Sequence, residues 1–582
     1  MMKYASEENI RIFIALLKKH GIKKVIASPG TTNLNFVASI QHDDWFEVYS
    51  SVDERSAAYI ACGMADQSGE PVIITCTEAT ASRNYLSGLT EAFYRKLPVL
   101  AVTGTRGNRK SGNFIPQSID RSSFQNDICR ISVELPTIKD DDDRTYCELT
   151  ANKALLELKR AGGGPVHINL CTTYISEFIY DELPSVRKID RISYESVFPE
   201  IKNNSKVAIL LGSHKKFDNE ELNLIDLFCE KYGSVVFCDN TSRYSQKYKV
   251  QFSLIGAQRE LEKSNFSPDI LIYFGGVSGG NYQLPHKSMW LVNEDGNLRD
   301  RSDKLNYVFE MTEKAFLSHY INSNKDYIKF DGYLDMFKVQ YYDLLKNIPD
   351  LPFSNAWIAS KSSKMFPSGS TVYLGILNTL RTWNYFEMPE NVDVISNVGA
   401  FGIDGGLSSV LGAALVNTGG LNFGIVGDLG FFYDINSLGN RHFPNNVRIM
   451  LINNGRGIEF RIDDNIGSKF EDSEADKFFS AAGHFGDKSA ELVKNLAGNL
   501  GFEYMAANSK EDYLSKAEYF FSEQKLNKPV IFEIFVNQND ERSAHTILRN
   551  VYREESFGRA VKDTVKKIIG DNAVEKIKKI IK

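Results

Sequence analysis

Short apolar runs alternate with helically spaced apolar positions along most of this chain. Residues 7–19 carry Ile10, Ile12, Phe13, Leu16 and Leu17 at helical spacing. A strand, Lys24–Ala27, leads into the turn Ser28-Pro29-Gly30. Strand Phe46–Ser50, helix Arg55–Gln67, strand Val72–Thr75, helix Arg83–Tyr94 and strand Val99–Thr103 follow. The block closes with a buried strand in Gly-Gly-Gly-Pro-Val-His-Ile-Asn-Leu at 162–170, and a polar linker spans about 181–204. Strands alternating with helices predict a parallel sheet covered on both faces.

A second α/β block starts at Lys206–Gly212 and continues with strands near 234–238, 269–274, 289–292 and 306–310. Its Gly-Gly-Val-Ser-Gly-Gly run at 275–280 lacks the spacing and acidic partner of a dinucleotide fingerprint, so it reads as a structural turn. A polar helical connector covers roughly 325–365. The third block, from Thr371, holds strand Asn391–Ser396, a glycine-rich loop Gly399–Gly406 and a small-residue helix Ser408–Asn417. Strands Leu421–Val426, Val447–Ile452 and Pro529–Phe535 complete it. The fold class is α/β, with three doubly wound parallel-sheet domains over residues 1–182, 190–345 and 355–558. The first and third blocks run in similar order without a readable sequence repeat. Residues 559–582 form a basic amphipathic tail with Val561, Val565, Ile568, Ile569, Ile577, Ile580 and Ile581 at helical spacing. Such a stripe packs on protein more often than it lies on a membrane surface.

Composition narrows the function classes. The 582 residues suffice for about three domains of ~150–200 residues. A hydrophobic share of 42% with 24% charged residues is ordinary for a globular protein. A net charge of −6 gives no reason to expect nucleic acid. No run approaches the ~20 apolar residues of a membrane span. The N-terminus has no apolar signal core, so the expected location is cytoplasmic. The seven cysteines (62, 76, 129, 147, 171, 229 and 238) show no Cys-x-x-Cys spacing and read as reduced, mostly buried thiols. The nine histidines form no His-x-x-x-His or adjacent pair.

Chemistry enters at the ends of two strands. Gly-Asp-Leu-Gly-Phe-Phe-Tyr-Asp at 427–434 follows one, and Asn453-Asn454 closes another. A carboxylate and an amide at the C-terminal ends of parallel strands can share one hard cation. Mg²⁺ takes oxygen ligands and usually only one or two side chains, leaving the rest to phosphate and water. Asp428 and Asn454 therefore suggest a Mg²⁺-anchored diphosphate, placed where open α/β sheets bind ligands. Taken alone, the same residues are common turn and N-cap residues.

Further motifs change that balance. Ser28-Pro29-Gly30, Val52-Asp53-Glu54-Arg55, Gly164-Pro165-Val166-His167-Ile168-Asn169 and Gly402-Ile403-Asp404-Gly405 precede Gly427-Asp428-Leu429, Tyr433-Asp434-Ile435-Asn436 and Asn453-Asn454. In this order and spacing the chain resembles the thiamine diphosphate (ThDP) dependent enzymes of the acetolactate synthase and pyruvate decarboxylase superfamily. Within them it is most similar to the menaquinone-pathway synthases, which join 2-oxoglutarate to isochorismate. The resemblance covers nearly the whole chain and implies pyrimidine-binding, central and diphosphate-binding domains in turn. It implies ThDP and Mg²⁺ as cofactors, with no flavin (FAD) expected. It also implies a homodimer or homotetramer, each active site lying between the first domain of one subunit and the third of another.

The resemblance also assigns residues. Glu54 would exchange a proton with the cofactor's aminopyrimidine, a task suited to an apolar cleft that raises its pKa. Without the other motifs, Glu54 reads as a helix-start glutamate favoured by the macrodipole. Ile403 would force the two cofactor rings into a V; the glycines around it permit close approach. Asp428, Asn454 and the main-chain carbonyl of Arg456 would hold Mg²⁺. Backbone amides around Gly427, Leu429 and Gly457 would meet phosphate oxygens, as would Asn378 and Thr379. Pro29, Gly30, Thr80, Asn84 and Gly402 would border the cofactor. Thr31, Arg106, Gln117, Arg381, Glu459 and Phe460 are the substrate-facing candidates, and an arginine can take a carboxylate bidentately.

Several positions depart from the menaquinone-pathway pattern. Thr31-Thr32 and Val398 stand where that family has arginines, and Gly279-Gly280-Asn281-Tyr282 replaces a Lys-Arg pair. Glu459 stands in place of an isoleucine, and Ala79-Thr80 in place of Gly-Thr. Losing cations that would hold dicarboxylates argues against that substrate pair. The leading expectation is decarboxylation of a 2-oxo acid with transfer of the acyl anion to a carbonyl or alkene acceptor. The alternatives are simple decarboxylation, of the phosphonopyruvate or sulfopyruvate type, and a catalytically silent ThDP-binding or scaffold protein. The full set of cofactor residues counts against the last.

Overall fold

The computed structural model describes residues 3–107, 110–121, 124–174, 177–280, 284–323, 326–462, 465–484, 488–524 and 526–552. The tail expected at 559–582 and residues 281–283 lie outside these. The chain divides into two compact units, residues 1–196 with 296–310, and residues 197–295 with 311–582.

The first unit is built on six parallel strands: β1 (Lys24–Ala27), β2 (Glu47–Ser50), β3 (Val72–Cys76), β4 (Val99–Thr105), β5 (Ser132–Leu135) and β6 (Val166–Cys171). They lie in the order β2-β1-β3-β4-β6-β5. Successive side chains leave opposite faces of a strand. Val25, Ile73, Leu100 and Val102 accordingly pack with Phe13 and Leu16 of helix Glu8–His20. Ile26, Val72, Ile74 and Ala101 pack with Ala57, Ala58 and Ala61 of helix Glu54–Ser68. Burial on both faces is why these strands read as unbroken apolar runs. His167 on β6 is buried between Thr103 Oγ1 at 2.8 Å and Ser132 Oγ at 2.7 Å. Burial, helped by Arg121 and Arg83, lowers its pKa to about 3, so it joins β4, β5 and β6 as a neutral ring.

Within the same unit, Asp190–Ile192 and Leu305–Glu310 form a short parallel pair. The segment read as linker thus holds a strand, too short and too polar to register as an apolar run. Helix Arg83–Tyr94 is in fact two helices, Thr80–Asn84 and Leu86–Tyr94, joined at Tyr85.

The second unit carries two sheets. In one, β7 (Val207–Leu211), β8 (Val235–Cys238), β9 (Lys249–Gln251), β10 (Ile270–Phe274) and β11 (Ser288–Asn293) run parallel in the order β9-β8-β7-β10-β11. This is a Rossmann order, whose switch point falls between β7 and β10. The loops leaving those strands bond to each other there: Gly276 N–H donates to the Ser213 carbonyl at 2.8 Å, and Ser213 N–H to that of Val277 at 3.2 Å. A Cβ on Gly212 would lie 1.9 Å from the Gly276 oxygen. The glycine run at 275–280 therefore serves this close approach.

The other sheet consists of β12 (Thr371–Leu374), β13 (Asp393–Ile395), β14 (Asn422–Gly427), β15 (Val447–Asn453), β16 (Glu503–Ala507) and β17 (Val530–Phe535). Its order, β13-β12-β14-β15-β17-β16, repeats that of the first unit's sheet strand for strand. Val372, Leu374, Phe423, Ile425, Met450 and Ile452 face one core, while Tyr373, Val426, Ile449 and Leu451 face the other. All seven cysteines are buried and none forms a disulfide.

Candidate active site

The ends of β12, β14 and β15 open into one cleft. Gly375–Thr379, Ile403, Gly427–Gly430, Asn454 and Arg456–Phe460 line it. It gathers Asn378, Thr379, Ile403, Gly427, Asp428, Leu429, Asn454, Arg456, Gly457, Glu459 and Phe460 from across the third block. Gly402 precedes Ile403 in its loop and is not among the lining residues. Arg381 lines an adjoining pocket with Tyr385, His545 and Arg549, and Asn378 and Glu459 face both spaces.

Asp428 opens helix Asp428–Tyr433 directly after β14 and is buried. Its Oδ1 accepts the Leu429 N–H at 2.7 Å, and its Oδ2 accepts the Gly455 N–H at 2.6 Å. Asn453 donates to Glu533 at 2.7 Å, and the Asn454 Oδ1 accepts the Arg456 N–H at 3.2 Å. Gly455, with φ of 76°, makes this turn out of β15. The Arg456 guanidinium is held by both Asp476 oxygens, at 2.7 and 2.8 Å. The Gly457 N–H donates to the Ser480 carbonyl at 2.6 Å. The Leu429 and Gly457 amides thus already have acceptors within the chain. Among the described residues no cluster of three or more His, Cys, Asp or Glu side chains could hold a metal ion by itself.

The loop bearing Ile403 is anchored from behind. Asp434 accepts the Ser408 N–H at 2.5 Å and the Ser408 hydroxyl at 2.7 Å, fixing the start of helix Gly406–Val416. Sequence reasoning missed Glu541, on helix Gln538–Arg549. It is fully buried, accepts the Asn355 N–H at 2.7 Å, and receives the Asn378 side-chain amide at 3.4 Å. Burial raises its pKa to about 7 against those two donors. Glu459 forms an ion pair with Arg381. Burial raises the pKa of Glu459, and Arg381 opposes the shift.

The first unit presents its own group of selected residues at strand ends. A Cβ on Gly30 would lie 2.5 Å from the Thr77 Cβ, so the turn after β1 admits only glycine there. Pro29 and Thr31 are exposed beside it. Glu54 begins helix Glu54–Ser68, whose N-cap Asp53 accepts the Arg55 N–H at 3.2 Å and the Ser56 hydroxyl at 2.6 Å. Asn84 donates to Glu54 Oε2 at 3.5 Å. The apolar enclosure expected around Glu54 is not provided by this unit, where Val52, Tyr49, Tyr59 and Ile60 are exposed. Thr80 starts its short helix after Ala79, which has φ of 66° and ψ of −135°.

Arg106 is engaged within the chain. Its Nε donates to Glu78 Oε1 at 2.6 Å, and its Nη2 donates to the Pro116 carbonyl. Glu78, also missed from sequence, is 1% exposed and has Arg121 at 3.8 Å. Gln117 is exposed on the following loop.

Comparison with known proteins bears on both groups of residues. Residues 10–130 match the model of the thiamine pyrophosphate enzyme N-terminal TPP-binding domain. The chain is 30% identical over 584 residues to the 2-succinyl-5-enolpyruvyl-6-hydroxy-3-cyclohexene-1-carboxylate synthase of Bacteroides fragilis, covering 95% of this chain and 99% of that one. The synthase of the same name from Phocaeicola vulgatus is 28% identical, over 94% of this chain and 98% of its own. That from Flavobacterium johnsoniae is 26% identical, over 93% and 98%. Among the described residues no helix is long and apolar enough to cross a membrane.

Proposed function

The chain belongs to the family of thiamine diphosphate-dependent enzymes that includes these synthases, and from that premise we propose that it decarboxylates a 2-oxo acid with Mg²⁺ as second cofactor and passes the acyl anion to a carbonyl or alkene acceptor. One observation carries the reading: Asp428, Asn454 and Arg456 line a single cleft with Ile403 at the ends of parallel strands. One carboxylate, one amide and one main-chain carbonyl form a hard-oxygen set. Such a set fits Mg²⁺, which completes its shell with phosphate oxygens and water. It does not suit a metal held by protein alone, consistent with the lack of a three-acid cluster among the described residues.

When bound, ThDP would supply a nucleophilic carbon and an electron sink for decarboxylation. The chain's own residues have the remaining tasks. Glu54 would exchange a proton with the aminopyrimidine nitrogen, and Asn84, which donates to its Oε2 at 3.5 Å, would steady the carboxylate. Ile403, which lines the cleft, would support the cofactor, and Gly402 would allow its approach. Pro29, Gly30 and Thr80 border the pyrimidine, while Asn378, Thr379, Gly427, Leu429 and Gly457 border the diphosphate. Thr31, Gln117 and Phe460 face the substrate. The two groups of residues belong to a homodimer or homotetramer in which the first domain of one subunit meets the third of another.

The experiment is CO₂ release from a panel of 2-oxo acids with ThDP and Mg²⁺, with Glu54→Gln as control. Release from at least one acid, lost in the variant because an amide cannot exchange that proton, is expected. Normal turnover by Glu54→Gln would remove the assignment of the base. ThDP binding followed by calorimetry, strong in the native chain and lost in Asp428→Ala, tests the metal assignment separately.

A further inference from the structure

The second unit holds a cavity of about 720 Å³ that shares no lining residue with the cofactor cleft. The loop between β8 and β9, strand β13 and the last turn of helix Gly406–Val416 line it. Its volume is that of a small-molecule site. Two of its three cations stand without an acid. Arg243 and Lys249 are half-buried, and among the described residues neither side chain has an ion pair or a hydrogen bond. The third, Lys216, pairs with Asp393 at 3.2 Å. Asp239 is engaged by the Thr241 N–H at 2.8 Å and the Ser278 hydroxyl at 2.9 Å. The remaining acid of the lining, Glu390, is exposed.

The neighbours of Arg243 fix its place. Ser242 Oγ donates to the Leu211 carbonyl at 2.8 Å, and the Tyr244 hydroxyl donates to Asp226 at 2.6 Å. Both flanking residues are buried, and Arg243 between them has φ of 56° and ψ of 25°. That left-handed conformation is uncommon for a residue with a side chain, and it persists where the surroundings over-determine it, as at ligand clamps. Ser370, just before β12, lines the same cavity and is 1% exposed. Its hydroxyl has no hydrogen-bond partner among the described residues. A buried polar group in that state calls for a partner that the chain does not supply.

We infer that this cavity binds a phosphorylated small molecule, its phosphate meeting Arg243 and Lys249 and its uncharged body lying against Met388, Val394 and Ile395. Charge matching favours a phosphate over a carboxylate. A phosphate monoester carries about −1.5 to −2 near pH 7 and so balances two cations, where a carboxylate balances one. The guanidinium fork takes two phosphate oxygens at once, and the lysine acts as a point charge. The Ser370 hydroxyl can donate to an oxygen of the bound molecule. Met388 and Val394 are buried and Ile395 is half-buried, which gives the apolar lining with few polar groups that such sites have. The site is separate from the ThDP-dependent reaction proposed above and does not rest on it.

Calorimetric titration of the full-length protein tests this, in Mg²⁺-free buffer so that a diphosphate site needing the metal stays out of the measurement. The probes are AMP and glucose 6-phosphate, with adenosine and glucose as the bodies alone and inorganic phosphate as the anion alone. At least one ester is expected to bind about ten-fold or more tightly than its uncharged body and than inorganic phosphate. Arg243→Gln and Lys249→Gln are each expected to weaken that ester by about ten-fold, and the double variant to abolish its binding. If Arg243→Gln does not fold, Lys249→Gln alone carries the test. Three results overturn the inference: no ester bound at about 10 mM, an uncharged body or inorganic phosphate bound as tightly as the ester, or ester binding that the variants leave unchanged. CO₂ release is not read, so failure of the proposed reaction leaves this outcome standing.

Discussion

Ala79 and Leu377 hold backbone conformations that only glycine adopts without strain, with φ/ψ of 66°/−135° and 65°/−123°. Each stands at a strand-to-helix turn, before Thr80 and Asn378 respectively. Strain of this kind is of order 1–3 kcal/mol and concentrates where surrounding structure over-determines a functional loop. Ala79→Gly removes the strain but adds unfolded-state entropy of about 0.4–1 kcal/mol. The net expectation is a gain of about 1 kcal/mol in the stability of the first unit, read as a higher urea midpoint; a lower midpoint would mean that Ala79 is not strained. From sequence, the exchange of Gly-Thr for Ala79-Thr80 was visible, but its strain was not, because φ and ψ depend on the packing around the turn. The acid–arginine pairs were hidden for a similar reason. Glu78 and Arg106 are 28 residues apart and Arg381 and Glu459 are 78 apart, so neither pair is a local motif. Asp428, Asn454 and Ile403 were legible because each stands beside its own strand end or glycine loop.

Helix Gln538–Arg549 carries Glu541 into the interior beside Asn378. Its carboxyl has an ordinary pKa of 4.5 and is raised to about 7 in the folded chain, mainly by burial. The sign of the pH effect follows. Below about pH 4.5 the group is protonated in both states; up to about pH 7 only the folded state keeps the proton, so stability falls as pH rises through that window. The full effect is about 3 kcal/mol, felt above pH 7. Glu541→Gln mimics the protonated form. The native chain should therefore lose more stability between pH 5 and 8 than the variant does, measured as the difference in their urea midpoints at each pH. Parallel curves would show that Glu541 stays ionised. At this scale the sequence was most readable where a strand is buried on both faces, as in β3, β4, β14 and β15. Ser132–Leu135, Lys249–Gln251 and Glu503–Ala507 escaped notice because each lies at a sheet edge or mixes polar with apolar residues. Glu541 went unnoticed, since sequence does not reveal which face of a polar helix turns inward.

Two sheets of one chain share a single strand order without shared sequence, and each gathers half of the candidate chemistry at its strand ends. Glu54 sits at one set of ends with Val52 79% exposed and Tyr49, Tyr59 and Ile60 each 47% exposed around it. In the second unit Tyr433, at the far end of the six-residue helix that Asp428 opens, is 65% exposed, and Val416 and Phe478 are more exposed still. A concentration of large apolar side chains near polar functional candidates marks an interaction surface more often than a solvent face. If Glu54 trades protons near neutrality as proposed, it also needs surroundings drier than this unit gives it. Association between copies would satisfy both requirements. Sedimentation should then give a dimer or tetramer, and Ile60→Glu, which adds a charge to the exposed helix face without touching Glu54, should weaken association. In that variant CO₂ release per chain should fall on dilution in step with dissociation, while far-UV circular dichroism stays native. A variant that dissociates yet keeps full activity would show that one chain holds a complete site and that the apolar face serves some other contact.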